Sequence, residues 1–410
     1  MRPWTVDVLI AVHDPNRPVE RAIRSVVRQI DDCRVDVNAR VRVQLIIHNT
    51  APAPVLSRLD SELQACVDVQ VFEDGIASPA GPFNAGLDSS SATYVVTMGS
   101  DDALEPGTLP AWIARARKTE ANAVIASLRT SEGVVLTPYM RPCPRTYLDP
   151  LKDGLAYRTA PLGLLRRERL EQIGFRYTSG GHLNGEDVEP GLRLWFTGER
   201  IVYPYRSPCY RVFEDMGASR ATSALGAMER EVGFLPQLLN QEWLRTAPRA
   251  VRAAVAVKIA RAQLIGAIVR RVQHARAASD WADFDRELPF NTLWNAADAH
   301  FVARSTQALQ AISEGGLISL SWWEQRLLET SACAMDTQTL LDAWGDLPNS
   351  RGFARVFPRT LGASVHRTAR PRTFVTQQLT QRLGVFKHPE PPAAWVEAQQ
   401  MPNRCANARE

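Results

Sequence analysis

Residues 83–102 read FNAGLDSSSATYVVTMGSDD, and this stretch decides the fold class. A helical segment, Phe83–Ser90, leads into the short apolar strand Thr93–Met98, which stops abruptly before two adjacent carboxylates, Asp101 and Asp102. An apolar, β-branched run of this length is typical of a strand that is buried on both faces, as in a parallel sheet. Ligands of such sheets bind beyond the carboxyl ends of the strands. The two carboxylates are therefore expected at a ligand site.

The segments on either side of this stretch alternate between strand and helix patterns. Four further strands are predicted at Val6–Val12, Val41–Ile47, Val69–Phe72 and Ala123–Leu128. Helical spacing between them predicts helices over 19–27, 55–66 and 106–116. This alternation predicts an α/β domain with a mostly parallel sheet flanked by helices. His13 and the pair His48-Asn49 also follow predicted strands, so we expect them at the same sheet edge as Asp101 and Asp102.

The sequence pattern changes in the second half of the chain. From about residue 226 helical patterns replace strands, over Met228–Leu239, Arg245–Ala278, Phe301–Ile312, Trp322–Thr330 and Thr337–Trp344. Beyond Gly345 the chain is rich in Pro and Arg. We therefore predict an α/β domain over residues 1–225, an all-α domain over 226–347 and a Pro/Arg-rich tail over 348–410.

Composition excludes several classes of protein. The 410 residues are 45% hydrophobic and 22% charged, which indicates a soluble chain with a real core. A net charge of +4 is too small for a polycation built for nucleic acid, so we expect no nucleic-acid partner. Six cysteines lie far apart without CxxC spacing, which predicts reduced thiols in a cytoplasmic protein. The sequence contains no run of about 18 uncharged apolar residues, so no membrane-spanning helix is predicted.

The acidic pair Asp101-Asp102 has two interpretations. Adjacent carboxylates at the end of a buried strand are unfavourable unless a cation compensates their charge. Mg²⁺ or Mn²⁺ holding a diphosphate would do so, because these hard cations prefer oxygen ligands. The alternative is an acidic N-cap for the helix that opens at Pro106.

Taken in order, four stretches within residues 5–222 resemble family 2 glycosyltransferases of the GT-A fold. They are VLIAVHDPNRPVERAIRSVVRQ at Val8–Gln29, FNAGLDSSSATYVVTMGSDD at Phe83–Asp102, LGLLRRERLEQIG at Leu162–Gly174 and GEDVEPGLRL at Gly185–Leu194. The first ends in the Ser-Val-x-x-Gln pattern, the second carries the acidic motif, and the fourth carries the Gly-Glu-Asp motif. Each motif alone has low specificity, but the occurrence of all four in the order found in the family makes chance agreement improbable.

The resemblance implies an enzyme that moves a sugar from a nucleotide-diphosphate donor to a hydroxyl of a saccharide or lipid-linked acceptor, with inversion. Asp101 would contact the ribose, and Asp101 and Asp102 would hold the Mg²⁺ or Mn²⁺ on the diphosphate. Asp187 would be the general base, supported by Glu186 and Arg193. Six further residues would bind the nucleotide-sugar donor: His13, Asn49, Asn84, Gly86, Arg211 and Arg220. By analogy the setting is cell-envelope or capsular polysaccharide synthesis.

Glu186 and Asp187 also support this reading on physical grounds. They are adjacent like charges, which can raise the pKa of one carboxyl toward the working range of a base. The alternative is that both are simply acids at a helix N-terminus, where the helix dipole favours negative charge.

The chain departs from the family pattern at several positions. Gly99 stands where many members have a further Asp, and Phe83 stands where an Arg or Lys is common. His48-Asn49 stands where many members have an acidic pair that binds the nucleotide base. The His that the family pattern places near residue 213 is missing. Arg211 and Arg220 would replace that His by clamping phosphate oxygens, or they are surface residues.

These departures keep two other functions open. A degenerate transferase that serves as a binding scaffold would explain them, although Asp101, Asp102 and Asp187 are retained. A nucleotidyltransferase also uses carboxylates and a metal. Its Gly-rich loop after the first strand is not matched, because residues 13–18 contain no glycine.

The predicted helix Arg245–Ala278 carries eight cationic residues and no acid. A basic amphipathic helix of this kind is able to lie on an anionic membrane surface as a peripheral contact. The alternative is a helix packed on the catalytic domain with a solvated Arg face. Lys258 and Arg276 interrupt the apolar face, which argues against deep insertion.

Overall fold

A seven-stranded sheet forms the centre of the molecule, seen in a computed structural model that describes residues 4–131, 133–135, 138, 146–158, 160–180, 184–213, 225–280 and 293–345. Its strands are β1 Trp4–Val12, β2 Ala39–His48, β3 Val67–Phe72, β4 Tyr94–Gly99, β6 Ala123–Ile125, β9 Gly163–Arg166 and β10 Ile201–Val202. Their order in the sheet is β10-β6-β9-β4-β1-β2-β3. All neighbours pair in parallel except β9, which is antiparallel to β4 and to β6. The predicted mostly parallel α/β sheet is confirmed.

A small second sheet lies beside the first, in the order β5-β11-β7-β8. Its strands are β5 Ala103–Leu104, β7 Leu128–Thr130, β8 Gly133–Val134 and β11 Tyr210–Arg211. β11 pairs antiparallel with β5, which directly follows the acidic pair. This pairing brings residue 210 next to Asp102, although more than a hundred residues separate them in sequence.

The α/β region contains eight of the described α-helices, and the helical region contains the other eight. The first set is α1 Val19–Val27, α2 Ile30–Val37, α3 Pro52–Leu56, α4 Ser61–Ala65, α5 Ala80–Ser89, α6 Thr108–Thr119, α7 Arg167–Gln172 and α8 Val188–Thr197. The second is α9 Met228–Glu231, α10 Leu235–Leu239, α11 Glu242–Arg245, α12 Arg249–Lys258, α13 Gly266–Asp280, α14 Ala296–Ile312, α15 Trp322–Cys333 and α16 Thr337–Gly345.

β1 shows why the central strands are almost wholly apolar. It is paired on both edges, with Val8 opposite Val43 of β2 and Val96 of β4, and the side chains of Val6–Ile10 are buried. Its buried polar residue, Asp7, is fully paired: Arg42 donates to both carboxylate oxygens at 2.8 Å and Ser90 Oγ donates at 2.6 Å. A buried carboxylate is tolerated when it is satisfied in this way.

Several predicted helices are shorter than expected. Predicted helix 55–66 is two helices, because the Asp60 carboxylate caps α4 by accepting from the Leu63 N–H at 2.8 Å. Predicted helix Met228–Leu239 is likewise split into α9 and α10. Predicted helix Arg245–Ala278 is interrupted at Pro248, since proline lacks an N–H and disfavours helical geometry in the preceding residue. A π-helical turn, Ile259–Ile265, then separates α12 from α13.

The helical region shares a core with the α/β region. Val188 and Leu192 of α8 lie in the same buried cluster as Phe234, Val255 and Leu264. The predicted all-α region is confirmed as a structural feature. The domain boundary near 225 stays a prediction, and the predicted tail 348–410 lies outside the described residues.

The basic face of the predicted Arg245–Ala278 helix is largely engaged within the protein. Arg252 pairs with Glu314, Arg261 with Glu324, and Arg270 and Arg271 both pair with Glu231. These pairs favour the packed-helix alternative, while the peripheral membrane contact stays a prediction. Within the described ranges, no helix has both the length and the apolar character needed to cross a bilayer.

Candidate active site

A cleft of about 1160 Å³ opens at the carboxyl edge of the large sheet. The residues that follow β1, β2 and β4 all reach it, as the strand-end argument predicts. The lining also includes residues from the loop after β3 and from the segment before α8. The predicted site residues among the lining are His13, Asn49, Asp101, Asp102, Glu186 and Asp187.

Asp101 is fixed by two arginines, Arg17 from the turn after β1 and Arg21 from α1. Arg17 Nη1 lies 3.0 Å from Asp101 Oδ2, and both side chains are about nine-tenths buried. Arg21 donates to the Asp101 carbonyl oxygen and stacks over the Phe213 ring at 3.8 Å. A cationic side chain thus stands beside the acidic pair, where an anionic ligand would lie. Burial, and next the charge of Arg17, lower the pKa of His13 in the same cleft.

Asp102 is oriented by residues from the far end of the domain. Tyr210 donates its hydroxyl to Asp102 Oδ2 at 2.6 Å, and the Phe213 N–H donates to Oδ1 at 3.2 Å. The Gly99 N–H in turn donates to the Tyr210 oxygen at 3.0 Å. Burial, and next the Asp102 charge, raise the pKa of Tyr210 well above its usual value, so the phenol stays protonated and keeps donating.

The Ser-Val-x-x-Gln pattern of α1 anchors the chain that follows the acidic pair. Ser25 Oγ accepts from the Leu104 N–H at 3.0 Å, and Gln29 Oε1 accepts from the Leu109 N–H at 3.0 Å. Gln29 Nε2 also donates to the Ser25 carbonyl at 2.8 Å. This motif therefore positions the loop that carries Asp101 and Asp102.

The acidic pair suits a divalent cation that is shared with a substrate. Mg²⁺ is usually held by one or two carboxylates, with substrate phosphates and water supplying the other oxygens. Asp101 and Asp102 both line the cleft and offer that number of carboxylates. No group of three or more His, Cys, Asp or Glu side chains arranged to hold a metal occurs in the described part of the chain. A cation here would thus need phosphate oxygens.

Gly99 has a steric role, at the position where members of the family that the sequence resembles often carry Asp. A Cβ atom here would lie 2.6 Å from Asp102 Oδ2 and 3.1 Å from Asp101 Oδ1. Both distances are shorter than van der Waals contact. The Asp102 carboxylate is therefore able to reach Tyr210 because residue 99 has no side chain.

We expect Gly99→Ala to lower the free energy of unfolding by about 1–3 kcal/mol, the usual effect of overpacking, because Asp102 must move away from Tyr210. Denaturant unfolding measures this. Gly266→Ala is the matched control: its Cβ would meet Arg270 at an ordinary 3.7 Å in a helix, so it should not destabilise. Equal stability of Gly99→Ala and the native sequence would contradict the steric role.

His48, Asn49 and Asp74 form a hydrogen-bonded cluster after β2 and β3. The N–H groups of Asp74 and Gly75 donate to Asn49 Oδ1 at 3.0 and 3.1 Å, which fixes the orientation of the amide. Asn49 Nδ2 and His48 Nε2 then donate to Asp74 Oδ1 at 3.2 and 2.8 Å. Burial works against ionisation of Asp74, but hydrogen bonds from His48, the Ile76 N–H and Asn49 leave its pKa lowered. Asn49 therefore shapes the cleft wall through a neighbouring carboxylate.

Glu186 and Asp187 lie at the start of α8 and face the cleft. Asp187 occupies the N-cap position of α8, yet its side chain makes no capping hydrogen bond. The carboxylate is therefore not used to cap the start of the helix. Burial, and next the charge of Asp187, raise the pKa of Glu186 to about 7. Burial also raises the pKa of Asp187, and the charge of Lys258 opposes that rise. Both carboxyl groups therefore take up a proton at a higher pH than an exposed acid would.

Two other predicted site residues do not themselves line the cleft. Asn84 clamps the backbone of Tyr177, donating to its carbonyl and accepting from its N–H, both at 2.9 Å. Gly86 allows α5 to pack on the sheet, since a Cβ there would meet Ile46 at 2.6 Å.

Two of the predicted arginines are also placed outside the cleft lining. Arg193 pairs with Glu189 and donates to the Ile173 carbonyl and to Gln241. Arg211 lies over the Phe213 ring at 5.3 Å. Arg220 lies outside the described residues.

Sequence reasoning missed four residues that shape the site. Asp74 follows the third predicted strand, so the strand-end argument applied there would have found it. Arg17 lies in the turn after β1, and Tyr210 lies in a segment already considered for its arginine. Tyr177 donates to or accepts from Thr97 Oγ1 at 2.8 Å beneath the cleft, and nothing in its local sequence indicated this.

These features define the GT-A arrangement, an α/β sheet with an acidic pair at the end of its fourth strand. No protein-family model and no curated protein matches the chain by sequence. Among solved structures, S. aureus TarS 1–349 in complex with UDP-GlcNAc is similar at a TM-score of 0.60 and 12% identity, over 86% of this chain and 92% of that chain. The UDP complex of the same TarS fragment gives 0.55 and 11%, over 87% and 93%.

At 12% identity this likeness shows the fold alone. Its extent nevertheless means that both the α/β region and a large part of the helical region have counterparts in the TarS fragment. The GT-A fold that the sequence resemblance implies is confirmed, and membership of family 2 stays a prediction.

Proposed function

We propose that this protein is a glycosyltransferase that moves a sugar from a nucleotide-diphosphate donor to an acceptor hydroxyl, with inversion at the anomeric carbon. The observation that carries the proposal is one cleft holding two pairs of carboxylates in different environments. Asp101 and Asp102 are fixed by an arginine and a tyrosine, whereas the pKa of Glu186 is raised to about 7. Carboxylates with such different environments suit different roles in one reaction.

The donor would lie along the carboxyl edge of the sheet. The His48–Asn49–Asp74 cluster would line the nucleoside end, and Arg17 beside Asp101 would face the diphosphate, since guanidinium groups bind phosphate oxygens well. TarS was crystallised with UDP-GlcNAc and with UDP, which makes uridine donors the first to test here.

Acceptor activation would fall to Asp187. Its ionised carboxylate would take the proton of the acceptor hydroxyl while that oxygen attacks the anomeric carbon. The bond from that carbon to the diphosphate oxygen breaks, and the diphosphate leaves with the electron pair. A single displacement of this kind inverts the anomeric carbon. Glu186, protonated more readily, would remain neutral beside Asp187 and limit charge repulsion.

Asp101 and Asp102 would hold Mg²⁺ or Mn²⁺, and a bound cation of this kind supplies charge neutralisation for the leaving diphosphate. We further propose a saccharide or lipid-linked acceptor and a role in cell-envelope polysaccharide synthesis on the cytoplasmic side. These finer assignments rest on the sequence resemblance.

A thermal-unfolding screen of nucleotide sugars, with and without Mn²⁺, tests the proposed function. A donor at a hundredfold excess over its Kd should stabilise the fold by about 2.7 kcal/mol, and more so with the cation present. Release of free nucleoside diphosphate on adding acceptor would then demonstrate transfer. A folded protein that no nucleotide sugar stabilises would instead favour the degenerate scaffold.

A further inference from the structure

Lys258 is the last residue of α12, and its side chain is completely buried. Its ammonium nitrogen has no hydrogen-bond acceptor within the part of the chain that the structure describes. An unpartnered ammonium in an apolar core is strongly unfavourable unless a negative charge nearby compensates it. The residue therefore needs an explanation that packing alone does not supply.

The helical region that carries Lys258 is packed against the start of α8. Val255 and Ile259, which flank Lys258 in sequence, share a buried cluster with Val188 and Leu192 of α8. Phe234 packs directly on Gly185, where a Cβ would lie 2.2 Å from the ring. Gly185 also has φ +97°, a conformation that disfavours other residues. The helical region thus supports the loop that carries Glu186 and Asp187.

Asp187 is the charged group that acts on Lys258 across this interface. Burial lowers the pKa of Lys258 to about 8, and the negative charge of Asp187 opposes that change. The effect is mutual, because Lys258 opposes the rise in the pKa of Asp187. Burial, and next the charge of Asp187 from the same loop, raise the pKa of Glu186, and burial raises the pKa of Tyr177, which also lines the cleft.

The turn after Lys258 is unusual as well. Ile259–Ile265 is π-helical, a rare geometry that occurs mostly as single turns within α-helices and frequently near functional sites. The wider turn begins at the residue after Lys258, so it changes the direction in which the following residues leave the helix.

We infer that Lys258 is a positioning residue of the active site, whose buried ammonium keeps the Asp187 carboxylate ionised for proton abstraction. The inference rests on the proposed function for the role of Asp187, and it adds a contribution of the helical region to the chemistry. It also explains why a lysine interrupts the apolar face of α12.

A double-mutant cycle followed by thermal unfolding tests the interaction without any turnover. Asp187→Asn should lower the melting temperature, since Lys258 is then an uncompensated buried charge. Adding Lys258→Met, which keeps the volume and removes the charge, should restore it. Additive changes in melting temperature would overturn the inference. Lys258→Gln replaces Lys258→Met if the latter does not fold.

The pH dependence of kcat separates an electrostatic role from a structural one. In Lys258→Met the acid limb should move up by about one pH unit, so kcat falls about tenfold below the limb and little above it. Lys258→Arg should restore the limb. Val255→Ala, a buried residue on the same helix, is the control that lowers stability without moving the limb.

An unmoved limb in Lys258→Met would overturn the inference even if transfer is normal in the native sequence. Conversely, no transfer from any donor would refute the proposed function, while coupling in the unfolding cycle would still support the Lys258–Asp187 interaction.

Discussion

Asp187→Asn is expected to lower kcat for sugar transfer by about 10²–10⁴-fold, the usual loss when a general base is removed, while the affinity for the donor stays the same. The amide has nearly the same shape as the carboxylate but cannot take a proton. Since the Asp187 side chain makes no capping hydrogen bond to α8, the helix keeps its start. Steady-state kinetics together with isothermal titration of the donor measure both quantities.

The pH profile gives a second test of Asp187. A general base must be ionised, so transfer in the native sequence should fall as the pH drops through the pKa values of the Glu186–Asp187 pair, which burial raises. The loss should begin at a higher pH than for an exposed aspartate, because burial raises the pKa of Asp187. The limb should be absent from the residual activity of Asp187→Asn.

Glu186→Gln is the matched comparison for Asp187→Asn. It replaces a carboxyl group that is neutral beside the ionised Asp187 with a neutral amide of nearly the same shape, so the acid limb should stay where it is in the native sequence. A loss of donor affinity in Asp187→Asn equal to its loss of kcat would contradict the general-base role. It would instead make Asp187 part of the donor site.

The α/β fold and the location of the cleft could be predicted because both follow from local patterns. Apolar runs such as the one before Gly99 predict buried strands, and parallel strands present their carboxyl ends at one edge. This argument alone predicts that His13, Asn49 and Asp101 lie at the edge of the sheet where the cleft opens.

Contacts distant in sequence could not be predicted in this way. The hydrogen bond from the Tyr210 hydroxyl to the Asp102 carboxylate depends on the pairing of β11 with β5. Each of these strands has only two residues, so their sequences give little indication that they pair. Asn84 belongs to one of the motifs that resemble the glycosyltransferase family, and the resemblance assigns it to the donor site. In the structure its side-chain amide hydrogen-bonds to the backbone of Tyr177. Periodicity assigns a residue to a face of a helix, but it does not identify what packs there.

Lys258 illustrates the same limit from another side. A cation on the apolar face of a predicted helix was visible in the sequence, and it argued against deep membrane insertion. Its effect on Asp187 depends on the buried cluster that residues of α12 share with residues of α8. The break at Pro248 was visible too, but helical periodicity on both sides of it suggested one continuous helix.

Asp102→Asn is expected to abolish detectable transfer and to remove the part of donor affinity that depends on Mn²⁺. The change deletes the negative charge that a cation requires, while an amide oxygen is still able to accept from Tyr210 or from the Phe213 N–H. Asp102→Ala should do the same with a larger loss of stability, about 1–3 kcal/mol, since it removes the acceptor of the buried Tyr210 hydroxyl.

Tyr210→Phe is the matched control for Asp102→Asn, because it removes the hydroxyl that orients Asp102 but retains the negative charge. Titrating the donor with and without Mn²⁺ should therefore show weakened but still cation-dependent binding in Tyr210→Phe, and cation-independent binding in Asp102→Asn. If Asp102→Asn bound the donor with the same gain from Mn²⁺ as the native sequence, Asp102 would not hold the cation. Its role would then be the one that its contacts show directly, which is to join β4 to β11 through Tyr210.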